Sequence, residues 1–159
     1  MIQNKILIFI KICIILIWLI LVYPIYSIEY NNKKITLYDR IGIVEIAKRY
    51  LGTPYKSGGQ TPKGFDCSGF TMYVYKKAGY DIPRSTKFQY LKLKPVKIPK
   101  KGDLVFFDIN GRGISHVGLY IGNFKFIHAP RTGKVVEIVD IRNPYWKKRY
   151  RGARSYFND

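Results

Sequence analysis

Near Asp103 the hydrophobic pattern of this chain changes period, and that change limits the folds open to it. Before Asp103, apolar residues recur at three- and four-residue steps. Ile43, Ile46, Ala47, Tyr50 and Leu51 mark one face of a helix over 38–51, which Gly52 and Pro54 end. Phe70, Tyr73, Val74 and Lys77 mark a second helix, with Asp66 placed to cap its start and Gly79 to stop it. A third, short helix is expected over 85–91, followed by a proline-rich connection, KPVKIPKKGD. Beyond Asp103 come short runs rich in β-branched and aromatic residues, LVFFD, HVGLYIG, KFIHA, VVEIV and ARSYF, separated by GRG, GN, RTGK and NPYW. Five such strands at hairpin spacing predict an antiparallel sheet. Helices first and strands after, with no βαβ alternation, make this an α+β domain.

The 159 residues leave room for one such domain. Residues 1–27 contain no acid, two lysines (Lys5 and Lys11) and an unbroken apolar run from Ile12 to Tyr23, the pattern of an export signal. The run falls short of the roughly 20 residues a membrane-spanning helix needs. Ile25 and Ser27 fit the small-x-small cleavage rule poorly, so cleavage near Ser27 and retention as a membrane anchor both stay open. The polar stretch 28–37 is expected as a linker and 38–159 as the domain. Cys13 lies in the export segment, which leaves Cys67 as the domain's one cysteine and excludes an internal disulfide. The formal charge of +18 favours polyanions, whether nucleic acid, anionic lipid or an anionic cell wall, and does not single out the wall. Without an arginine-rich helix, a zinc finger or an RNA-binding aromatic motif, nucleic acid is not an expected partner.

Only two histidines occur, and both fall in the strand region. A hairpin turning at Gly122 and Asn123 puts His116 and His128 on one face, within a residue of direct opposition. Cys67 falls in the first turn of its helix. A helix start and a nearby imidazole both stabilise a thiolate, and the backbone N–H groups there suit an oxyanion. These residues outline a Cys-His-His arrangement. The alternatives are core histidines bonded to backbone carbonyls, a cysteine buried as a small apolar side chain, and three zinc ligands. The absence of CxxC, HxxxH and a second domain cysteine weighs against zinc, and no metal or cofactor is expected.

GTPYKSGG, FDCSGF, IPRST followed by Gln89, KGDLVFF, SHVGLYIG, FIHAP and PYWKKRYRGAR, in this order over about 38–157, resemble the NlpC-type cell-wall endopeptidases, papain-like cysteine peptidases of bacterial envelopes. The resemblance implies a papain-like fold, with N-terminal helices packed on an antiparallel sheet of about five strands. It implies Cys67 as nucleophile, His116 as general base and His128 as the third polar residue. Tyr55 matches a tyrosine beside the nucleophile, and Asp66 and Ser68 match residues that help bind the amino-terminal end of a stem peptide. Helix capping by Asp66 and packing by Tyr55 are the structural alternatives. The implied activity is hydrolysis of amide bonds in peptidoglycan stem peptides, at γ-D-glutamyl-diamino acid, by a protein of the periplasm, cell wall or cell surface. Membrane contact is expected only through the N-terminal segment. A papain-like amidase or acyltransferase on another wall or lipid substrate, and a non-catalytic wall-binding protein, are the rival classes. The end of the chain departs mildly from the family, since RGARSYF lacks the second arginine that often follows the first.

Overall fold

The computed structural model describes residues 2–158, and the chain separates into two compact units, 1–37 and 38–159. The first unit holds helix α1 (Ile2–Ile17), a π-helical turn at Trp18–Val22 and the beginning of helix α2 (Tyr23–Lys48). Apolar side chains from Ile10 to Ile25 are largely exposed. No helix among the described residues is long and apolar enough to cross a membrane. The side chains of 1–9 and 26–36, which include the expected cleavage point near Ser27 and nearly all of the expected linker 28–37, lie outside the described residues.

In the second unit the last turns of α2 bury Ile43, Val44 and Ala47; Ile43 and Ala47 belong to the face expected from the sequence, Val44 does not, and Leu51, expected on that face, is exposed beyond the helix end at Lys48. A small hairpin of β1 (Gln60–Thr61) and β2 (Gly64–Phe65) leads into helix α3 (Cys67–Lys77), and helix α4 (Thr86–Lys92) follows. The remaining strands are β3 (Lys94–Val96), β4 (Leu104–Phe107), β5 (His116–Gly122), β6 (Lys125–His128), β7 (Glu137–Asp140) and β8 (Tyr150–Ser155). They form one antiparallel sheet in the order β3-β8-β4-β5-β6-β7. The α+β expectation holds, with six strands in place of five.

The sixth strand, β3, comes from the stretch expected to be a connection. It is three residues long, pairs only with β8 and carries Pro95, which an edge strand tolerates because one side of its backbone needs no partner. Nothing in so short and exposed a segment alternates. NPYW, expected as a turn, opens helix α5 (Pro144–Arg149) instead: Asn143 caps it by accepting the Tyr145 N–H at 2.9 Å, and Pro144 suits the first helical turn, where no N–H is needed.

The sheet is buried on both sides, which is why LVFF is a continuous apolar run. Toward the helices, Leu104, Phe106, Val117, Leu119 and Ile127 pack with Phe65, Phe70, Val74 and Tyr75. On the opposite face Val105, Phe107, Tyr120 and Phe126 pack with Trp146 and Tyr150. Burying each large side chain of this kind is worth roughly 1.5–3 kcal/mol. Arg40, on α2, reaches the sheet: its guanidinium donates to Asp103 Oδ1 at 2.7 Å, to the Lys101 carbonyl at 3.0 Å and to Ser155 Oγ at 3.0 Å.

Candidate active site

Asp66 sits in extended backbone and accepts the Gly69 N–H on Oδ1 at 2.7 Å, so α3 starts at Cys67. Gly69 cannot be larger, because a Cβ there would lie 2.0 Å from the Gly59 carbonyl oxygen. That close approach lets the glycine-rich loop fold over the helix start, where the Asp66 N–H donates to the same carbonyl at 3.0 Å. Cys67 is left partly exposed, its sulfur 3.6 Å from Thr86 Oγ1 at the beginning of α4. The backbone N–H groups of Val117, the residue after His116, and of Ser68 also favour the thiolate. The start of α3 and the start of β5 therefore meet at the sulfur.

The two histidines meet across the β5–β6 hairpin. The turn centres on Asn123 and Phe124, both at positive φ, with a bulge between Tyr120 and Gly122. The Leu119↔Ile127 register brings His128 level with Gly118, two residues from His116, so the imidazoles meet on a diagonal instead of nearly opposite as expected. Gly118 makes room for this packing, since a Cβ there would fall 2.4 Å from the Phe126 ring. His116 Nε2 and His128 Nδ1 are 2.8 Å apart. That bond leaves Nδ1 as the His116 nitrogen open to other chemistry.

Both rings are dry. His116 is 5% exposed and His128 fully buried, and Trp146 packs on both, with ring centroids 5.5 Å and 4.8 Å away. Burial holds the His116 imidazole down to about 4, and burial followed by repulsion from His116 holds His128 well below its ordinary value. Both are neutral at pH 7. Burial also pushes the Cys67 thiol up, as does the Asp66 charge, against the opposing hydrogen bonds from Thr86, Val117 and Ser68. The sequence suggested a stabilised thiolate, but in the resting protein desolvation outweighs the helix start. The resting pair is a neutral thiol and a neutral imidazole. Among the described residues His128 Nε2 has no hydrogen-bond partner, and the Glu137 carboxylate stands 3.8 Å from it.

Beside the cysteine lies a charged group. Arg84 grips Asp66, with Nη2 to Oδ2 at 2.5 Å and Nη1 to Oδ1 at 3.0 Å, and Nη1 also donates to Ser68 Oγ at 2.9 Å. Buried Gln89 braces this corner by donating to the Ser68 carbonyl at 3.1 Å and the Pro83 carbonyl at 2.8 Å. Tyr55 is half-buried, and burial, Cys67 and Asp66 all raise its phenol pKa, which keeps it a hydrogen-bond donor. Its backbone N–H donates to the Lys134 carbonyl at 2.8 Å. A cavity of ≈ 490 Å³ has His116 in its wall, together with Arg131, Lys134, Glu137, Tyr145 and Trp146.

The structure thus gathers Tyr55, Asp66, Cys67 and Ser68 at one helix start and joins His116 with His128 next to it. Arg84, Thr86 and Trp146 were given no part by the sequence analysis. All three lie inside motifs that it singled out, IPRST and PYWKKRYRGAR, but neither periodicity nor spacing says that those segments converge on the cysteine and the histidines. Among the described residues, no group of three or more His, Cys, Asp or Glu side chains is placed to hold a metal ion.

The model of the NlpC/P60 family matches residues 52–155. The chain is 46% identical over 114 residues to the probable peptidoglycan endopeptidase LytE of Bacillus subtilis (strain 168), a match covering 72% of this chain and 34% of that protein. It is 40% identical over 137 residues to the γ-D-glutamyl-L-lysine dipeptidyl-peptidase of the same organism, covering 84% of this chain and 45% of that one. The chain therefore spans between about a third and just under half the length of these relatives. The crystal structure of the NlpC/p60 domain of the peptidoglycan hydrolase SagA superposes with a TM-score of 0.64 at 39% identity, covering 73% of this chain and 97% of that domain.

Proposed function

The chain belongs to the NlpC/P60 family, and from that premise we propose that it is a cysteine peptidase that cuts peptidoglycan stem peptides between γ-D-glutamate and a diamino acid. The observation that carries this reading is the meeting of a helix-start cysteine with a strand that opens on a histidine, itself 2.8 Å from a second histidine. The names of the relatives, an endopeptidase of peptidoglycan and a γ-D-glutamyl-L-lysine dipeptidyl-peptidase, support the substrate class.

In this reading His116 Nδ1 takes the Cys67 proton as the sulfur attacks the γ-glutamyl carbonyl. Backbone N–H groups at the start of α3, with the Tyr55 hydroxyl, hold the oxyanion. The same proton then passes from His116 to the departing amine, the C–N bond breaks and a thioester remains. Water, deprotonated by His116, attacks the thioester, releasing a carboxylate and the Cys67 thiol. His116 Nε2–H donates to His128 Nδ1 throughout, which fixes the tautomer in which Nδ1 is the base. Asp66 and Ser68, with Arg84 between them, take the amino-terminal end of the stem peptide. The apolar run from Ile12 to Tyr23 supports export toward the wall, with the N-terminal segment cleaved or kept as an anchor.

Purified peptidoglycan incubated with the full chain, beside Cys67→Ala, tests this by mass spectrometry. New fragments ending at γ-D-glutamate are expected from the unmutated protein alone. Equal fragments from both proteins remove Cys67 from its role, and no cleavage of walls of either diamino acid type by folded protein removes the peptidase.

A further inference from the structure

We propose that the cavity beside His116 is the subsite for the leaving residue, and that it selects a diamino acid whose far end carries both a carboxylate and an ammonium, as in diaminopimelate, over one that ends in an ammonium alone, as in lysine. The assignment rests on the peptidase reading above. An amide cut by Cys67 leaves as an amine that takes its proton from His116, so the leaving residue has to lie against that imidazole. His116 forms part of the cavity wall, whereas Tyr55, Asp66, Ser68 and Arg84, the groups around the helix start, do not. The helix-start groups assigned to the acyl half and the cavity assigned to the leaving half therefore share no wall residue. At ≈ 490 Å³ the cavity lies within the roughly 300–1,000 Å³ common for small-ligand sites.

The charges on its rim set the selection. Arg131 and Lys134 stand at the two ends of one tight turn, closed by the Lys134 N–H donating to the Arg131 carbonyl at 3.1 Å. The turn is tied down from outside, because the Tyr55 N–H donates to the Lys134 carbonyl at 2.8 Å and the Val136 N–H to the Thr53 carbonyl at 2.8 Å. Both side chains are exposed, and among the described residues neither is in an ion pair. Glu137 is the one carboxylate in the wall. Two cations and one anion, in a wall shared with Tyr145 and the Trp146 indole, suit a zwitterionic group: its carboxylate faces Arg131 and Lys134 and its ammonium faces Glu137. A lysine side chain brings only the ammonium into a cavity that is already net positive.

The test uses the full chain and three soluble stem peptides identical up to γ-D-glutamate and differing in the next residue: meso-diaminopimelate, L-lysine, or diaminopimelate amidated on its distal carboxylate. The diaminopimelate peptide is expected to show a kcat/KM about tenfold above the other two, the scale of two partly exposed charge contacts. The Arg131→Ala, Lys134→Ala double variant brings the three within about twofold of one another. Arg131→Glu with Lys134→Glu inverts the order, and circular dichroism melts confirm that each variant folds. Equal cleavage of all three by the unmutated chain, or a preference that survives the double alanine variant, overturns the subsite while leaving the peptidase intact. Cleavage of none of them overturns the peptidase and the subsite together.

Discussion

Arg40 and His128 are both polar side chains sunk against the same sheet, yet their surroundings differ in kind. The Arg40 guanidinium meets Asp103, the Lys101 carbonyl and Ser155, while the second Asp103 oxygen takes the Lys100 N–H at 2.7 Å and Ser155 Oγ takes the Phe157 N–H at 3.1 Å. Charge and hydrogen-bonding capacity are matched, and α2 is bound to the segment that leads into β4 and to β8. His128 shares one hydrogen bond with His116 and keeps Nε2 without a partner in an apolar setting of Phe126 and Trp146. A matched buried cluster resists change, so it serves the fold. One that holds neutral, proton-accepting groups away from water keeps a capacity the fold does not need, which is the form expected of a site.

Mutating one member of each cluster breaks the comparison most sharply. His116→Ala is expected to lower kcat/KM by about 10³-fold or more, and to lower the melting temperature less than the change at Arg40, since it leaves a cavity but no unpaired charge. Arg40→Ala strands the Asp103 carboxylate in the interior. It is expected to cost about 3–5 kcal/mol, a melting temperature lower by roughly 10–20 °C, while the fraction that remains folded keeps its kcat. Thermal melts beside active-fraction kinetics check both. Equal destabilisation by the two substitutions would erase the distinction between a holding cluster and a working one.

The difference between the clusters also shows what the sequence could disclose. Cys67 and both histidines stand out because they are chemically rare in this chain and fall at positions fixed by short-range rules, a capped helix start and a hairpin. Asp66 was legible as a cap for the same reason, and its hydrogen bond to Gly69 has that form. The Arg40–Asp103 pair was not legible, because the residues lie 63 positions apart and nothing local couples them. Thr86 and Trp146 were hidden likewise: which face of α4 or α5 meets the site depends on packing between elements. The diagonal meeting of the histidines depended on a turn centred one residue later than expected, at Asn123 and Phe124, and on one bulge, and both shift register without changing composition.

A smaller effect separates the two things His128 supplies, a hydrogen-bond acceptor and a filled volume. His128→Ala leaves the His116 Nε2–H without an acceptor in a dry site and is expected to lower kcat/KM by about 10²-fold. His128→Asn keeps a carbonyl able to accept that N–H and should lose only about tenfold. Steady-state kinetics on one stem peptide decides the matter. Equal losses in the two variants would mean that His128 acts by packing, like the aromatic rings around it, and would move it to the same side of the comparison as Arg40.

The smallest expected effect concerns Glu137, the one acid near the unpartnered His128 nitrogen. In the folded protein His116 is held at about 4, below its ordinary 6.5, so it stays a base until the pH falls through about 4. The acidic limb of kcat/KM should lie there, with full activity above it, provided that neutral His116 is the active form. A carboxylate 3.8 Å from His128 attracts an imidazolium wherever the proton resides in the pair, and so raises the pH at which the pair becomes charged. Glu137→Gln removes that attraction, and the limb should move to lower pH. Because Glu137 is 45% exposed, solvent screens its charge, so the shift should stay under about half a pH unit and the plateau should fall less than about threefold. A pH profile of the variant against the unmutated chain measures both. A limb that moves upward would mean that the carboxylate does not act on the histidine pair through its charge. A plateau loss of a hundredfold would place Glu137 among the groups that touch the reacting atoms, and the working cluster would then have three members on the sheet instead of two.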